Sequence, residues 1–353
     1  MLTSRPTPQP LRLGILAAAN IAKQFSRDVA SSPMVRIDAV ASRNADNAAA
    51  FAAANGIARH HGSYEALLAD PLIDAIYLPL PNSLHAEWAI KAAQAGKHVL
   101  CEKPLALNRA EAQAMFDAAR AHRTLLLEAY PWYFQPHGVR MVELLNQGAI
   151  GELRYVQACF GFTLPNAQGN IRMNPQLGGG ALLDAGSYAL SVICLAMGSA
   201  PQRVHAVASW ADSGVDISLM GTLEFSGGRR AQLACAMDAA NHRRATLVGS
   251  AGTIETEYLN HTSAQSGGHV YGYLPNQLRL RRGTANVVPF EEIACPSGSG
   301  FRFAAEAFAK VVAERDFAAI ERAAACSLNI AAALEALAKS AHSGQVVELT
   351  AAS

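Results

Sequence analysis

Val99-Leu100-Cys101-Glu102-Lys103-Pro104 reads as a buried strand that stops abruptly on an acid, an amine and an imino acid. Proline has no amide to continue a strand ladder, and it holds the residue before it extended. Lys103 is therefore presented at the carboxyl end of a strand, where open α/β sheets place their ligands. The neighbouring segments repeat the alternation. Asp74 to Leu78 reads as a strand, and Ser83 to Ala95 as a helix capped by Asn82 or Ser83. Beyond Pro104, Arg109 to Ala121 reads as a helix and Thr124 to Glu128 as a strand. Strand–helix units of this length build a right-handed, doubly wound parallel sheet.

Upstream, the strand Leu11 to Leu16 runs into Ala17-Ala18-Ala19-Asn20-Ile21-Ala22 and a helix ending near Ser32. A dinucleotide-binding fold carries its glycine-rich turn at this position. Here alanine stands at all three glycine positions, as Ala17, Ala19 and Ala22. Its methyl group crowds an approaching pyrophosphate and resists positive φ. The helix N-terminus still offers amide donors and a positive dipole end, so Ala17, Ala19, Asn20 and Ile21 are expected to face the phosphates.

A second strand, Val35 to Ala41, ends in Ser42-Arg43-Asn44. An NAD site usually places a carboxylate there for the ribose hydroxyls, whereas a hydroxyl plus a guanidinium suits a 2′-phosphate. Ser42 and Arg43 thus select NADP, with NAD as the second choice. Ala45 to Asn55 and Tyr64 to Ala69 read as further helices. Leu80, Pro81, Asn82 and His85 follow a strand's carboxyl end and are expected to line the nicotinamide side, together with Glu102 and Lys103.

From Gly151 the pattern changes. Leu153 to Phe162, Arg203 to Trp210, Ile217 to Phe225, Gln232 to Met237 and Ala245 to Val248 read as strands, interrupted by one helix over Leu182 to Met197. After a loop-rich segment, Phe303 to Ala313 and Glu321 to His342 read as helices. The fold class is α/β: a Rossmann doubly wound parallel sheet in residues 1–128, then an α+β domain with an open, largely antiparallel sheet in residues 129–353. The last helix, about 321–342, is expected to pack near the first domain.

Within the second part, Gly178-Gly179-Gly180-Ala181-Leu182-Leu183-Asp184-Ala185-Gly186-Ser187-Tyr188 combines a glycine run with an acid and a phenol at i, i+4. That spacing puts Asp184 and Tyr188 on one helix face, suited to substrate binding and proton transfer.

Composition narrows the class of partner. The chain has 353 residues, formal net charge +1, 51% hydrophobic and 16% charged residues, enough for two domains with large cores. Near-neutral charge gives no footprint for nucleic acid or an anionic membrane. Six well-separated cysteines argue against a disulfide framework or a metal knuckle. Met1 to Pro6 holds no apolar signal core, and the stretch Ala181 to Met197 is short and interrupted by Asp184. A soluble cytoplasmic protein without metal is expected.

The substituted dinucleotide turn, Glu102-Lys103-Pro104 and the Gly-Gly-Gly-Ala-Leu-Leu-Asp-x-Gly-x-Tyr run together resemble the Gfo/Idh/MocA oxidoreductase family, from Leu11 to about Leu349. Tyr188 stands where the inositol-dehydrogenase branch has His. The chain therefore looks like the branch of dimeric dihydrodiol dehydrogenase, NADP-dependent D-xylose dehydrogenase and glucose–fructose oxidoreductase. Glu128-Ala129 ahead of Tyr130, Trp132, Tyr133 and Phe134 is also similar to that branch. The resemblance implies Lys103 and Tyr188 as the catalytic pair, Asp184 in support, and a homodimer or homotetramer. Trp132, Tyr133, Arg172 and Asp184 are expected to line the substrate pocket, although members often carry a basic residue at the position of Tyr133.

The expected activity is NADP-dependent hydride transfer between a sugar or vicinal diol and the nicotinamide. The alternatives are a glycosidase-type enzyme with a tightly held NAD(P), and a non-catalytic dinucleotide-sensing regulator. Ser42→Asp should shift the ratio of kcat/KM values for NADP and NAD toward NAD; an unchanged ratio contradicts the assignment of Ser42 and Arg43.

Overall fold

The computed structural model describes residues 9–257, 277–296 and 298–349. Six strands form an all-parallel sheet: β1 (Leu11–Leu16), β2 (Val35–Ala41), β3 (Arg59–His61), β4 (Ala75–Leu78), β5 (His98–Glu102) and β6 (Leu126–Ala129). Their order is β3-β2-β1-β4-β5-β6. Strands buried on both faces read as continuous apolar runs, which is why Ala75–Leu78 shows no alternation; Leu126–Ala129 is equally buried and carries one acid, Glu128. The order reverses between β1 and β4, opening a crevice at the strands' carboxyl ends.

Helices α1 (Asn20–Val29) and α2 (Ala45–Asn55) pack on one face, and α3 (Tyr64–Leu68), α4 (His85–Gln94) and α5 (Arg109–Ala121) on the other. On the α1 face the Phe25 ring stacks on Tyr77 at 3.8 Å and 10° and meets Phe301 edge-on at 5.8 Å. Phe301 comes from the far end of the chain.

The second sheet has nine strands: β7 (Leu153–Thr163), β8 (Arg203–Trp210), β9 (Asp216–Glu224), β10 (Arg230–Ala236), β11 (Asp238–Gly249), β12 (Gly252–Glu257), β13 (Gln277–Arg282), β14 (Glu291–Glu292) and β15 (Val347–Glu348). They run β14-β13-β12-β11-β7-β10-β9-β8-β15, antiparallel throughout except for the pair β7–β10. Short helices α6 (Pro131–Phe134) and α7 (Pro136–Asn146) lead into this sheet. One face is covered by α8 (Ser187–Met197) and by α10 (Phe317–Ser343), while α9 (Gly300–Glu314) turns back to the first sheet.

Several expectations are corrected. The segment read as loop-rich contains β12 and β13, whose alternating Ile254, Leu278 and Leu280 are buried; that period-2 signal was present in the sequence. The strand at Ala245 to Val248 extends over Asp238–Gly249. The helix from Leu182 begins with a π-helical turn, Leu182–Gly186, before α8. Both terminal helices are longer than their apolar patterns suggested.

The helix α10 bridges the two cores: Ala324 and Ala331 join the first-sheet cluster, Ile330, Leu334 and Leu337 the second. Two helical stretches, Pro175–Met197 and Phe317–Ser343, match a membrane span in length and hydropathy. The first is largely buried in the protein core and α10 packs on both clusters, which accounts for their apolar content.

Phe25→Ala should lower unfolding free energy by about 3–5 kcal/mol in a denaturant titration, because it removes the ring holding α1, β4 and α9 together. A loss below about 1 kcal/mol would show that the site collapses to fill the space.

Candidate active site

The crevice at the sheet's carboxyl edge is closed from above by the second sheet, leaving a cleft of about 1340 Å³. Pockets for one small ligand span roughly 300–1,000 Å³, so this one has room for two molecules. Its lower end is built by the β1–α1 turn. Ala17 sits at φ +154°, and Ala19 occupies the N-cap of α1 with no side chain able to accept a bond. The first amides of α1 therefore open into the cleft, with no acid in the first turn to neutralise the positive end. That cradle fits a dinucleotide's pyrophosphate.

Asn20, Ile21, Ser42 and Arg43 line the same end. Burial pushes the Tyr64 hydroxyl up, and Arg43, which hydrogen-bonds it, opposes that rise only in part. Lys23 and Tyr64 line it too and were missed in the sequence. Lys23 is one helical turn beyond the phosphate loop, a spacing that marks it once the loop is recognised.

At the other end, two lobes meet on one carboxylate. Lys103 Nζ donates to the Asp184 carbonyl at 2.7 Å and to Asp184 Oδ1 at 3.0 Å, while Arg172 Nε donates to Asp184 Oδ2 at 2.6 Å. Burial alone would raise the Asp184 carboxyl. Lys103 and Arg172 outweigh it and hold the group at about 2. Both carboxylate oxygens are engaged, so Asp184 orients two cations more than it offers itself to a second hydroxyl.

Tyr188 stands beside them, its ring 4.5 Å beneath Lys103 Nζ. Phe160 of β7 stacks on that ring at 4.9 Å and 16°, and the Arg243 guanidinium of β11 lies 4.7 Å from the Phe160 centroid. Phe160 and Arg243 face each other across the β7–β11 ladder and both line the cleft. Sequence reasoning placed Phe160 in a strand but had no means of saying which sheet edge it would share.

The glycine run lets backbone approach its neighbours closely. A Cβ on Gly178 would sit 2.6 Å from Leu107 and 2.9 Å from Asn82, and the Gly178 carbonyl accepts from Asn82 Nδ2 at 2.8 Å. Gly179 presses on the Arg172 carbonyl and Gly180 on the Asp216 carboxylate. The close approach is to protein: at Gly178 it fastens the second lobe to the first, and at Gly179 and Gly180 it packs the second lobe on itself.

Four expected site residues are placed differently. His85 is fully buried, its ring nitrogens 2.9 Å from the carbonyls of Pro104 and Leu80, so it braces two turns from behind and does not line the cleft. Glu102 reaches the cleft's edge, but its Oε1 accepts from the buried Tyr77 hydroxyl at 2.7 Å. Trp132 and Tyr133 lie in the second core, with Trp132 Nε1 donating to Ser191 Oγ at 2.9 Å and the Tyr133 hydroxyl to the Ser191 carbonyl at 3.0 Å. Helix α6 buries these aromatic rings because they follow Pro131 immediately and pack down on α8. Leu80, Pro81, Asn82, Lys103, Arg172, Asp184 and Tyr188 all line the cleft.

A doubly wound sheet with an amide cradle at one end of a two-lobed cleft and an amine, a phenol and a carboxylate at the other defines a dinucleotide-dependent oxidoreductase. The NAD-binding Rossmann-fold model of the GFO/IDH/MocA oxidoreductase family matches residues 11–130, and the GFO/IDH/MocA C-terminal domain matches residues 139–255. The chain belongs to this family. A D-xylose 1-dehydrogenase (NADP(+)) of Haloferax volcanii is 33% identical over 340 residues, covering 96% of this chain and 100% of its own. A trans-1,2-dihydrobenzene-1,2-diol dehydrogenase of Danio rerio is 37% identical over 248 residues, 69% of this chain and 74% of its own. A 3-ketoreductase from Actinomadura kijaniata, solved in complex with NADP and TDP-benzene, superposes with a TM-score of 0.81 at 31% identity, covering 94% of this chain and 97% of that one.

The Asp184 carboxyl is held below its unfolded value, so its stabilisation is complete above that value and is lost as pH falls through the folded one. The stability difference between wild type and Asp184→Asn should therefore shrink as pH falls from about 4 to about 2. A constant difference across that range would contradict the pairing.

Proposed function

We propose that this oxidoreductase transfers hydride between NADP(H) and a sugar, lactol or vicinal diol, with Tyr188 and Lys103 handling the hydroxyl proton. The observation that carries the reading is the meeting of Lys103 from the first lobe with Tyr188 from the second inside one cleft. Oxidising an alcohol requires the hydroxyl proton to leave as hydride departs from carbon; the bound nicotinamide supplies the hydride acceptor.

A free tyrosine, with pKa about 10, is a poor base at neutral pH. An ammonium group over its ring favours the phenolate and so eases proton acceptance at the Tyr188 hydroxyl. Lys103 has three donors, of which two go to Asp184. The third serves the reacting oxygen. In the reverse direction the same two groups return a proton to a carbonyl oxygen. Arg172, held in the cleft by Asp184, supplies the polar wall against which further hydroxyls are held.

Two relatives support this substrate class, and one pair of cleft residues the cofactor. The Haloferax relative is named for D-xylose and NADP(+), and the Danio relative for a vicinal diol. Ser42 and Arg43 lie at the end of the cleft where a 2′-phosphate belongs. A cytoplasmic homodimer or homotetramer built on the open face of the second sheet, where paired Val207 and Met220 are 59% and 66% exposed, completes the proposal.

Lys103→Met and Tyr188→Phe should each lower kcat by about 10²–10⁴-fold with aldoses and trans-diols. NADPH affinity, read by fluorescence titration, should stay close to wild type. Near-normal turnover in either variant removes that residue from the mechanism.

A further inference from the structure

The helical run that carries Asp184 and Tyr188 has no side chain of its own to cap its first turn: neither Ala181 nor Gly186 provides one. The acceptor comes from another element. Asp216, the first residue of β9, lies beside a register shift between Ser209 and Trp210 on the neighbouring strand. Its side chain is buried under the turn, and Oδ2 accepts from the Leu182 amide at 2.6 Å. The Ala181 amide contributes a second backbone bond to the same carboxylate. A carboxylate at the start of a helical run satisfies amides that have no partner within it and meets the positive end of the dipole.

The surrounding backbone is shaped around that carboxylate. Gly180 holds φ +111°, and a Cβ there would collide with Asp216 Oδ1. The Gly180 amide donates to the Arg172 carbonyl at 2.9 Å, and the Gly180 carbonyl accepts from the Asp184 amide at 3.1 Å. Asp216 thus fixes the point from which both Arg172 and Asp184 are hung. Two residues past the Leu182 amide, the Asp184 carbonyl and carboxylate receive Lys103. Four residues further, Tyr188 presents its ring to the same ammonium.

We propose that Asp216 is a positioning residue for the reaction: its carboxylate sets the pitch of the turn that brings Asp184 and Tyr188 to Lys103. The assignment rests on the reading of Tyr188 and Lys103 as the proton-handling pair. Asp216 touches neither the cleft nor the reacting atoms, so its effect is transmitted through the amides of Leu182 and Ala181 and the backbone at Gly180.

The test compares Asp216→Ala with Asp216→Asn, each assayed per NADPH-binding site so that misfolded molecules do not count. Asp216→Ala should lower kcat by about 100-fold, the cost of a misplacement of about 1 Å, with NADPH affinity unchanged. Asp216→Asn keeps an oxygen against the Leu182 amide and should recover most of the loss. A purely structural role would lower Tm and leave kcat per binding site intact; that result overturns the proposal, as does equal impairment in both variants. If Asp216→Ala yields no folded protein, Asp216→Ser, too short to reach the amide, replaces it: low kcat supports the proposal and wild-type kcat overturns it. The two readings fail separately. Active Tyr188→Phe sinks the proton-handling pair, whereas inactive Tyr188→Phe beside fully active Asp216→Ala sinks only the positioning role.

Discussion

One ammonium group joins the two halves of this protein. Lys103 leaves the carboxyl end of β5 and spends two of its donors on Asp184, 81 residues further along the chain. Its side chain is 9% exposed, and the carboxylate it meets is 19% exposed. Removing one member of such a pair leaves the other charge poorly solvated, which costs far more than a surface ion pair would. The geometry is over-determined for that reason. Arg172 takes the second carboxylate oxygen, Asn82 ties the first lobe to Gly178, and at Gly178 the missing methyl group lets the lobes close on Leu107 and Asn82.

Behind Lys103 the packing is also polar. Glu128, at the end of β6, is buried and accepts from the Leu105 amide at 2.8 Å, bracing the chain just after Pro104. Burial lifts its carboxyl to about 7, against the opposing pull of Ser327, the Leu105 amide, Tyr130 and Lys103. His85 braces the same turn through the Pro104 carbonyl. The turn that presents Lys103 is therefore held by side-chain hydrogen bonds from both Glu128 and His85.

Much of this was legible in the residues. Continuous apolar runs separated by helical lengths gave the parallel sheet, and Pro104 after Lys103 marked the strand end. Asp184 and Tyr188 were marked by their spacing and by the glycines ahead of them. What escaped was set by contacts between distant segments. No local pattern says that Phe301 will meet Phe25 edge-on, that Arg243 will lie over Phe160, or that Asp216 will bond the Leu182 amide 34 residues upstream. Three of the four misplaced residues share one cause. His85, Trp132 and Tyr133 are large groups close in sequence to the cleft, and burial in the adjacent cores claimed them before the ligand could.

The most direct measurement is a crystal structure of the ternary complex with NADP and a substrate that the enzyme turns over. The account predicts one substrate oxygen within hydrogen-bonding distance of both Lys103 Nζ and the Tyr188 hydroxyl, on the carbon that faces the nicotinamide. A substrate whose reacting oxygen contacts neither group would contradict it.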